Sequence, residues 1–324
     1  MNFIPLQNYI PNISRIAYGC MRLGGNWTAA PPKQTYFQEA ERIINTTLEA
    51  GINFFDHADI YTRGKAEQVF GQVLKNTPSL RQQIYLQSKA GIRLPEKGRD
   101  FAYYDFSRQW LRQQVEQSLK NLHTDHLDFW LLHRPDPLME PEVIAELFYD
   151  LYVSGKVLYF GVSNMHLHQM QYLQAYLSAP LVVNQLELSL GHLHWLDEGV
   201  QMNTYKGTQT NFAPGTLEHC RRFGVQVQAW GSLAQGKYSG KPLQNASRPV
   251  KKTATLVNEL AEKYSTSAEG IVLGWLMRHP ARLQPVIGTL NEQRIKSCAK
   301  ATQVQLSRED WYALYVSARG VDLP

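Results

Sequence analysis

Side chains able to exchange protons lie close together in the stretch FFDHADIYTRG, residues 54–64. Asp56, His57, Asp59 and Tyr61 fall within six consecutive positions of that stretch. Their types fit three kinds of site: a metal-binding cluster, a proton-transfer site, or simply the polar end of a buried strand. The rest of the chain must decide among these three.

Two later segments, QSKAG and LDFWLLH, add Lys89 and His133. A phenol with its ordinary pKa near 10 is a weak acid at neutral pH, but a nearby ammonium stabilises the phenolate and lowers that pKa. Asp56 would pair with Lys89 and keep it charged while buried. His133 would orient a carbonyl or help to relay the proton. The set predicts Tyr61 as a general acid, as carbonyl reduction by a nicotinamide hydride requires.

The elements that must position these residues alternate along the chain. Eight segments are apolar on both faces, which is typical of buried parallel strands. They lie at 16–20, 52–59, 84–91, 127–133, 157–164, 181–189, 225–233 and 284–289. Helical periodicity marks 39–50, 65–75, 106–122, 142–154, 167–177, 216–223, 253–264, 268–278, 291–301 and 308–318. No Pro-, Gly- or Ser-rich linker divides them. We therefore expect one domain over 1–324, an α/β (β/α)8 TIM barrel with extra C-terminal helices; a doubly wound open sheet is the alternative.

The barrel is favoured by where the polar residues fall. They lie at or just past the C-terminal ends of the predicted strands, the edge at which barrel enzymes carry their chemistry. The residues are Asp56, Lys89, His133, Asn164, Gln185 and Ser232.

Bulk properties exclude several other classes. The 324 residues carry a net charge of +5, which is too small and too evenly spread for a nucleic-acid-binding protein. The densest basic run, Arg248, Lys251 and Lys252, is interpreted as a solvated loop. The three cysteines are far apart, the N-terminus lacks the features of a signal peptide, and no apolar run is long enough for a membrane span. We expect a cytoplasmic protein with no nucleic-acid or membrane partner.

Several motifs in order give the chain a resemblance to the aldo-keto reductase family over nearly its whole length. FDHADIY is similar to the family's Asp-x-Ala-x-x-Tyr element, and QSKAG, LDFWLLHRPD, SGKVLYFGVSN and NQLELS follow at family-like intervals. The resemblance implies Tyr61 as proton donor, with Asp56, Lys89 and His133 as its partners and a small carbonyl compound as substrate.

The same resemblance implies NADP(H) as cofactor. Ser163, Asn164 and Gln185 would bind the nicotinamide carboxamide, Trp230 would stack on the ring, and Gly231, Ser232 and Leu233 would wrap the pyrophosphate. Gly288, Thr289 and Arg294 would take the adenosine 2′-phosphate, and the segment IAYGCMRLGG adds Cys20 and Met21, with Asp56 also facing the cofactor. Because no GxGxxG fingerprint follows a strand, a Rossmann-type site has no support.

Four positions depart from the family pattern. Gly288 stands where many relatives have Lys, Ser297 and Cys298 stand where Glu-Asn is common, and His57 stands in place of a usual Thr.

The substrate contacts expected are Trp27, Tyr61 and His133. Loops at 23–33, 91–105 and 192–212 would shape the rest of the substrate site. Their aromatic residues favour an apolar or aromatic carbonyl, and the lysines and arginines nearby leave an acidic substrate as an equal alternative.

Two other functions stay open from the sequence. A metal-dependent barrel hydrolase is suggested by the DHAD stretch, with Asp56, His57 and Asp59, and by His133, but the end of the first strand reads GCMRL and lacks the HxH pair that such enzymes often carry. An NADPH-binding regulatory or sensor subunit with slow turnover is the other. A further cluster, His192, His194 and Asp197, is interpreted as part of a solvated loop, and no metal site is predicted.

Overall fold

Eight parallel strands close into a barrel in the computed structural model, which describes residues 3–324. In chain order the strands are β1 (Ala17–Gly19), β2 (Phe54–Asp56), β3 (Tyr85–Ala90), β4 (Ile92–Arg93), β5 (Tyr103–Tyr104), β6 (Leu127–Leu132), β7 (Val157–Ser163), β8 (Val183–Glu187), β9 (Gln226–Trp230) and β10 (Gln284–Ile287). β4 and β5 form a separate antiparallel hairpin beyond the end of β3, and the other eight strands form the barrel.

Closure of the barrel depends on the first strand. In β1, Ala17 is paired with Val286 of β10 on one side and with Phe54 of β2 on the other. The order around the barrel is β1-β10-β9-β8-β7-β6-β3-β2. The predicted (β/α)8 barrel is confirmed, and the open-sheet alternative is wrong because the sheet closes without a free edge.

Helices cover the outside of the barrel and extend its C-terminal side. They are α1 (Gln34–Glu49), α2 (Lys65–Asn76), α3 (Arg108–Leu122), α4 (Pro141–Val153), α5 (Leu167–Gln174), α6 (His194–Val200), α7 (Thr216–Phe223), α8 (Arg248–Lys263), α9 (Ala268–Met277), α10 (Glu292–Ala299) and α11 (Arg308–Arg319). Between residues 3 and 324, no helix combines the length and apolar character that crossing a membrane requires.

The core has two parts, and the strand sequences explain both. Strand β6, with the sequence LDFWLL, is buried at every position, so one face of it packs inside the barrel and the other against the helices. The inner part includes Phe54, Phe129 and Val183, and it is covered at the lower end by the N-terminal segment with Ile4 and Leu6. This packing leaves the upper end, where the strands terminate, available for a site.

Two segments interpreted as loops are helical. The basic run Arg248, Lys251 and Lys252 lies in the first turns of α8, which Pro249 helps to start because its ring fixes a helical φ. The loop predicted at 192–212 contains α6, and there Asp197 accepts a hydrogen bond from the Tyr315 hydroxyl at 2.5 Å and forms an ion pair with the Arg319 guanidinium. The carboxylate of Asp197 thus attaches α6 to α11.

Candidate active site

A tight turn after β2 places Tyr61 at the upper end of the barrel. The Tyr61 amide donates to the Ala58 carbonyl at 3.0 Å. Thr62 and Arg63 then adopt left-handed conformations, with φ of 48° and 60°, which is unusual for residues with a Cβ. The Thr62 hydroxyl donates to the Leu23 carbonyl at 2.9 Å, and Arg63 Nε donates to the Trp27 carbonyl at 3.0 Å. These bonds hold the strained turn in place and tie it to the loop after β1.

Behind Tyr61 lies a fully buried ion pair. Lys89 Nζ, at the end of β3, is 2.6 Å from Asp56 Oδ1, at the end of β2, and it also donates to the His57 carbonyl at 2.7 Å. Burial alone would lower the pKa of Lys89, but the Asp56 carboxylate and the Tyr61 phenol outweigh burial and raise it. Lys89 is therefore charged at neutral pH.

The phenol of Tyr61 is not acidic in this structure. Lys89 Nζ lies 4.9 Å from the centroid of the Tyr61 ring, as the sequence predicted for neighbouring strand ends. Burial nevertheless raises the pKa of Tyr61 to about 12, and the ammonium of Lys89 offsets only part of that effect. The predicted lowering of the pKa of Tyr61 is therefore wrong in sign, because burial penalises the phenolate more than one ammonium stabilises it. Tyr61 is therefore protonated at neutral pH and gives up its proton only to a strong base.

His133, directly after β6, faces the same point. Its ring centroid is 6.0 Å from that of Tyr61, with the two planes at 79°, and its amide donates to the Ala90 carbonyl at 2.9 Å. Burial, with smaller contributions from Lys89 and Arg134, lowers the pKa of His133 well below its ordinary value. The imidazole is thus neutral at neutral pH and can donate a hydrogen bond to a substrate oxygen without carrying charge.

The ends of β7, β8 and β9 form the next part of the site. Asn164 has a left-handed φ of 59°, and its Oδ1 accepts from Trp230 Nε1 at 3.1 Å. Asn164 Nδ2 donates to the Ser163 hydroxyl at 2.8 Å, and that hydroxyl donates to the Gln185 carbonyl at 2.9 Å. The side chains of Ser163, Asn164 and Trp230 are held by one another and by the backbone of Gln185, so they present a fixed polar surface beside Tyr61.

One cleft of about 490 Å³ connects these residues. It runs from the Tyr61 and His133 side chains across the tips of β7 to β10 and reaches α10. The predicted residues that line it are Met21, Trp27, Asp56, Tyr61, His133, Ser163, Asn164, Gln185, Trp230, Gly231, Ser232, Leu233, Gly288, Thr289 and Arg294.

Two predicted residues do not line the cleft. Lys89 lies beneath it, bonded to Asp56. Cys20 is fully buried, and its thiol donates to the Tyr18 carbonyl instead. The turn after β1 therefore reaches the cleft through Gly19, Met21 and Arg22 instead.

The cleft also includes residues that the sequence interpretation missed. Ile60, Ile92 and Arg134 lie near the Tyr61 end, and Glu269 lies near the Arg294 end. Arg134 directly follows the motif residue His133, so the sequence could have predicted that Arg134 lies at the cleft. Glu269 gave none, because it reaches the cleft from α9 only through the packing of that helix.

His57 and Asp59 lie outside the cleft, beneath the turn that carries Tyr61. His57 packs edge-on against the Phe70 ring, with centroids 4.6 Å apart, and neither ring nitrogen has a hydrogen-bond partner among the described residues. Asp59 is half-buried with its Oδ1 shielded from solvent, and the burial of this carboxyl, together with the Glu67 carboxyl, raises its pKa well above the ordinary range. Within residues 3–324, no group of three or more His, Cys, Asp or Glu side chains is arranged to hold a metal ion.

The buried imidazole of His57 should make the protein sensitive to acid. Burial, aided by Lys89, lowers its pKa from 6.5 to about 3. An unfolded chain therefore binds this proton between pH 6.5 and 3 while the folded chain does not, so stability is lost as pH falls through that window. Between pH 7 and pH 5 the free energy of unfolding of the parent decreases. We expect this decrease, measured by urea unfolding, to be about 2 kcal/mol smaller in His57→Leu.

An exposed histidine gives the matched control for this prediction. His168→Leu, on α5, should leave the loss of stability between the two pH values as it is in the parent. If His57→Leu also loses as much stability as the parent, the imidazole of His57 is not the neutral buried group described here.

The sequence of the chain is similar to those of known proteins over nearly its whole length. A sequence model described as the aldo/keto reductase family matches residues 15–315. An uncharacterized oxidoreductase, YcsN, of Bacillus subtilis is 35% identical over 316 residues, covering 96% of each chain. A 6-dehydroglucose reductase of Agrobacterium fabrum is 33% identical over 319 residues, again with 96% of each chain covered.

Solved structures share the fold at lower sequence identity. The glycerol dehydrogenase AKR11B4 of Gluconobacter oxydans superposes with a TM-score of 0.78 at 22% identity, covering 96% of this chain and 94% of the other. An aldo-keto reductase from Klebsiella pneumoniae in complex with NADPH gives a TM-score of 0.69 at 22% identity, with 93% and 90% covered.

Proposed function

The chain belongs to the aldo/keto reductase family, and from that premise we propose that it reduces aldehydes or ketones to alcohols with NADPH, using Tyr61 as the proton donor. The observation that carries this proposal is the buried Asp56–Lys89 pair set against the Tyr61 ring at the wall of a cleft. Neither a metal hydrolase nor a purely structural barrel needs a charged lysine held beside a phenol in this way.

Each residue of the set has a distinct task in the proposed reaction. A reduced nicotinamide, when bound, supplies the hydride for the carbonyl carbon. Tyr61 gives its phenolic proton to the carbonyl oxygen, and the ammonium of Lys89 stabilises the phenolate that remains. Asp56 keeps Lys89 charged and in place. His133, neutral and facing the same point, donates a hydrogen bond that orients the carbonyl oxygen.

The cleft fits a dinucleotide. Amide groups of Asn164 and Gln185 line it next to Tyr61, as a carboxamide requires, and the indole of Trp230 offers a flat apolar face. Gly231, Ser232 and Leu233 follow at the end of β9, where backbone N–H groups could meet phosphate oxygens. The guanidinium of Arg294 lies at the far end of the cleft.

Preference for NADPH over NADH should depend on Arg294. Its Nε lies 3.8 Å from a carboxylate oxygen of Glu269, which is only 12% exposed, so part of its charge is already compensated. We expect Arg294→Ala to weaken NADPH binding about 10-fold, because a charge-assisted bond to the 2′-phosphate is lost, and to leave NADH binding unchanged. Titration of protein fluorescence with each nucleotide measures both affinities.

Two controls sharpen this prediction. Glu269→Gln should strengthen NADPH binding, because it frees the guanidinium of Arg294, and Arg308→Ala on the surface of α11 should change neither affinity. Equal losses for both nucleotides in Arg294→Ala would contradict a 2′-phosphate contact.

The substrate we propose is an aldehyde that carries hydroxyl groups. Two relatives at 33% identity are named 6-dehydroglucose reductase, and the cleft combines apolar side chains of Trp27, Ile60 and Ile92 with the polar groups of His133 and Arg134.

The three cysteines are buried thiols, which supports our further proposal that the protein works in a reducing compartment such as the cytoplasm.

A carbonyl panel tests the function directly. The purified protein is mixed with NADPH and, in parallel, NADH, and with aromatic, aliphatic and sugar-derived aldehydes, while the absorbance of the reduced nicotinamide is followed. Loss of absorbance with at least one aldehyde class is the expected result. Tight NADPH binding without reduction of any compound in the panel would instead favour a sensor subunit.

A further inference from the structure

Four buried glutamines cross the interior of the barrel beneath the proposed cofactor site. Gln87 of β3, Gln185 of β8, Gln228 of β9 and Gln284 of β10 are each at most 3% exposed. A buried amide without hydrogen-bond partners is costly, so each of these side chains must be satisfied within the protein. They are satisfied by one another, and we call them the glutamine network.

Gln228 is the centre of the glutamine network. Its Oε1 accepts from the Nε2 atoms of Gln87 and Gln185, both at 2.9 Å. Its Nε2 donates to the Oε1 atoms of Gln87 at 3.1 Å and Gln284 at 3.2 Å. Both N–H groups of Gln228 are therefore used, and its oxygen accepts two bonds.

Both ends of the network are groups that only accept hydrogen bonds. At one end Gln87 Nε2 donates to Asp56 Oδ1 at 2.5 Å, and at the other Gln284 Nε2 donates to the Ser14 carbonyl at 2.8 Å. The ionised carboxylate and the carbonyl each require an amide nitrogen to face them. Turning any one amide over would set oxygen against oxygen or N–H against N–H, so the ends fix the orientation of every member.

This fixed orientation determines what Gln185 offers to the cleft. One N–H of its Nε2 donates to Gln228, which turns the nitrogen towards the glutamine network, while its Oε1 accepts no hydrogen bond from the described residues, and Gln185 lines the cleft. The side chain therefore presents an acceptor, and the ligand group that it suits must have an N–H.

We propose that Gln87 and Gln228 are positioning residues that hold the Gln185 amide with its oxygen towards the cofactor, so that this site selects a primary carboxamide. The inference rests on the proposed function, since it assumes that a nicotinamide lies beside Gln185. According to this inference, the preference for a carboxamide originates at Asp56. The carboxylate of Asp56 sets the direction of the hydrogen bonds in the glutamine network and also binds Lys89.

Two dinucleotides that differ in one group test this inference. NADPH has the carboxamide N–H, whereas its reduced 3-acetylpyridine analogue has a methyl group in that place. An unpaired acceptor costs about 10-fold in affinity, so we expect the parent to bind NADPH about 10-fold more tightly than the analogue, by calorimetry or fluorescence titration. In Gln228→Met this ratio should fall below about 2, because Gln185 becomes free to turn. Binding of 2′,5′-ADP, which lacks the nicotinamide, should not change.

The same strand offers a matched control. Gln226 is also buried, but its Nε2 donates to the carbonyls of Val227 and Arg282, outside the glutamine network. Gln226→Met should keep the parent ratio. If Gln228→Met does not fold, Gln87→Met replaces it, with the same fall in the ratio expected.

The outcomes separate the two claims. A folded Gln228→Met or Gln87→Met that keeps the 10-fold ratio would overturn the positioning inference and leave the proposed function intact. A parent that binds neither dinucleotide would overturn the proposed function, and the inference with it.

Discussion

Tyr61→Phe is expected to lower kcat for carbonyl reduction by about 10³-fold while leaving the Kd for NADPH nearly unchanged. The substitution removes one oxygen atom, and with it the proton that we propose is transferred to the carbonyl oxygen. General-acid catalysis contributes 10²- to 10⁴-fold in typical enzymes. Phenylalanine keeps the ring that packs against His133 and Lys89, so the cleft should retain its shape.

A tyrosine at the other end of the barrel provides the control. Tyr159 lies near the start of β7, and its hydroxyl donates to the Tyr9 carbonyl at 3.5 Å. Tyr159→Phe should keep the parent kcat. Turnover by Tyr61→Phe at the parent rate, with NADPH bound, would show that the proton comes from another group.

The raised pKa of Tyr61 changes how its acidity must be explained. An acid with a pKa of about 12 is fully protonated at neutral pH, so the site always holds the proton that it must deliver. The transfer becomes favourable only when a hydride creates an alkoxide, which is a stronger base than the phenolate. Lys89 therefore matters most after the proton has left, because its charge stabilises the phenolate that burial disfavours.

The barrel was readable from the sequence because its strands are apolar on both faces. LDFWLL is buried throughout, as predicted. Helix α6 was missed because its seven residues, HWLDEGV, show too little periodicity, and because its stability comes from the distant residues Tyr315 and Arg319. A helix stabilised by tertiary contacts leaves little trace in its own sequence.

The sequence predicted some features of the candidate site and not others, as it did for the fold. Tyr61, Lys89 and His133 were found because strand ends of a barrel share one edge. The orientation of Gln185, the place of Glu269 and the inward direction of Cys20 depend on three-dimensional neighbours. Glutamines in the apolar strands YLQSK, VQVQAW and LQPVI were a visible signal, since a buried amide implies a partner, but the sequence could not say which partner.

Lys89→Met should separate the structural role of the buried ion pair from its chemical role. The substitution leaves the Asp56 carboxylate buried with only Gln87 as a side-chain donor, and breaking a buried pair on one side costs about 3–5 kcal/mol. The double variant Asp56→Asn/Lys89→Met removes both charges, so most of that stability should return. Urea unfolding measures these changes, and the surface substitution Lys296→Met, which breaks the exposed pair with Glu49, should have little effect.

Activity should not return with stability in the double variant. Without an ammonium beside Tyr61, the buried phenolate formed by proton transfer has no compensating charge, so kcat should stay about 10²-fold or more below the parent. A double variant that is both stable and fully active would show that Asp56 and Lys89 only hold β2 and β3 together. A stable but inactive one would mean that this chain keeps a costly buried charge because its chemistry requires it.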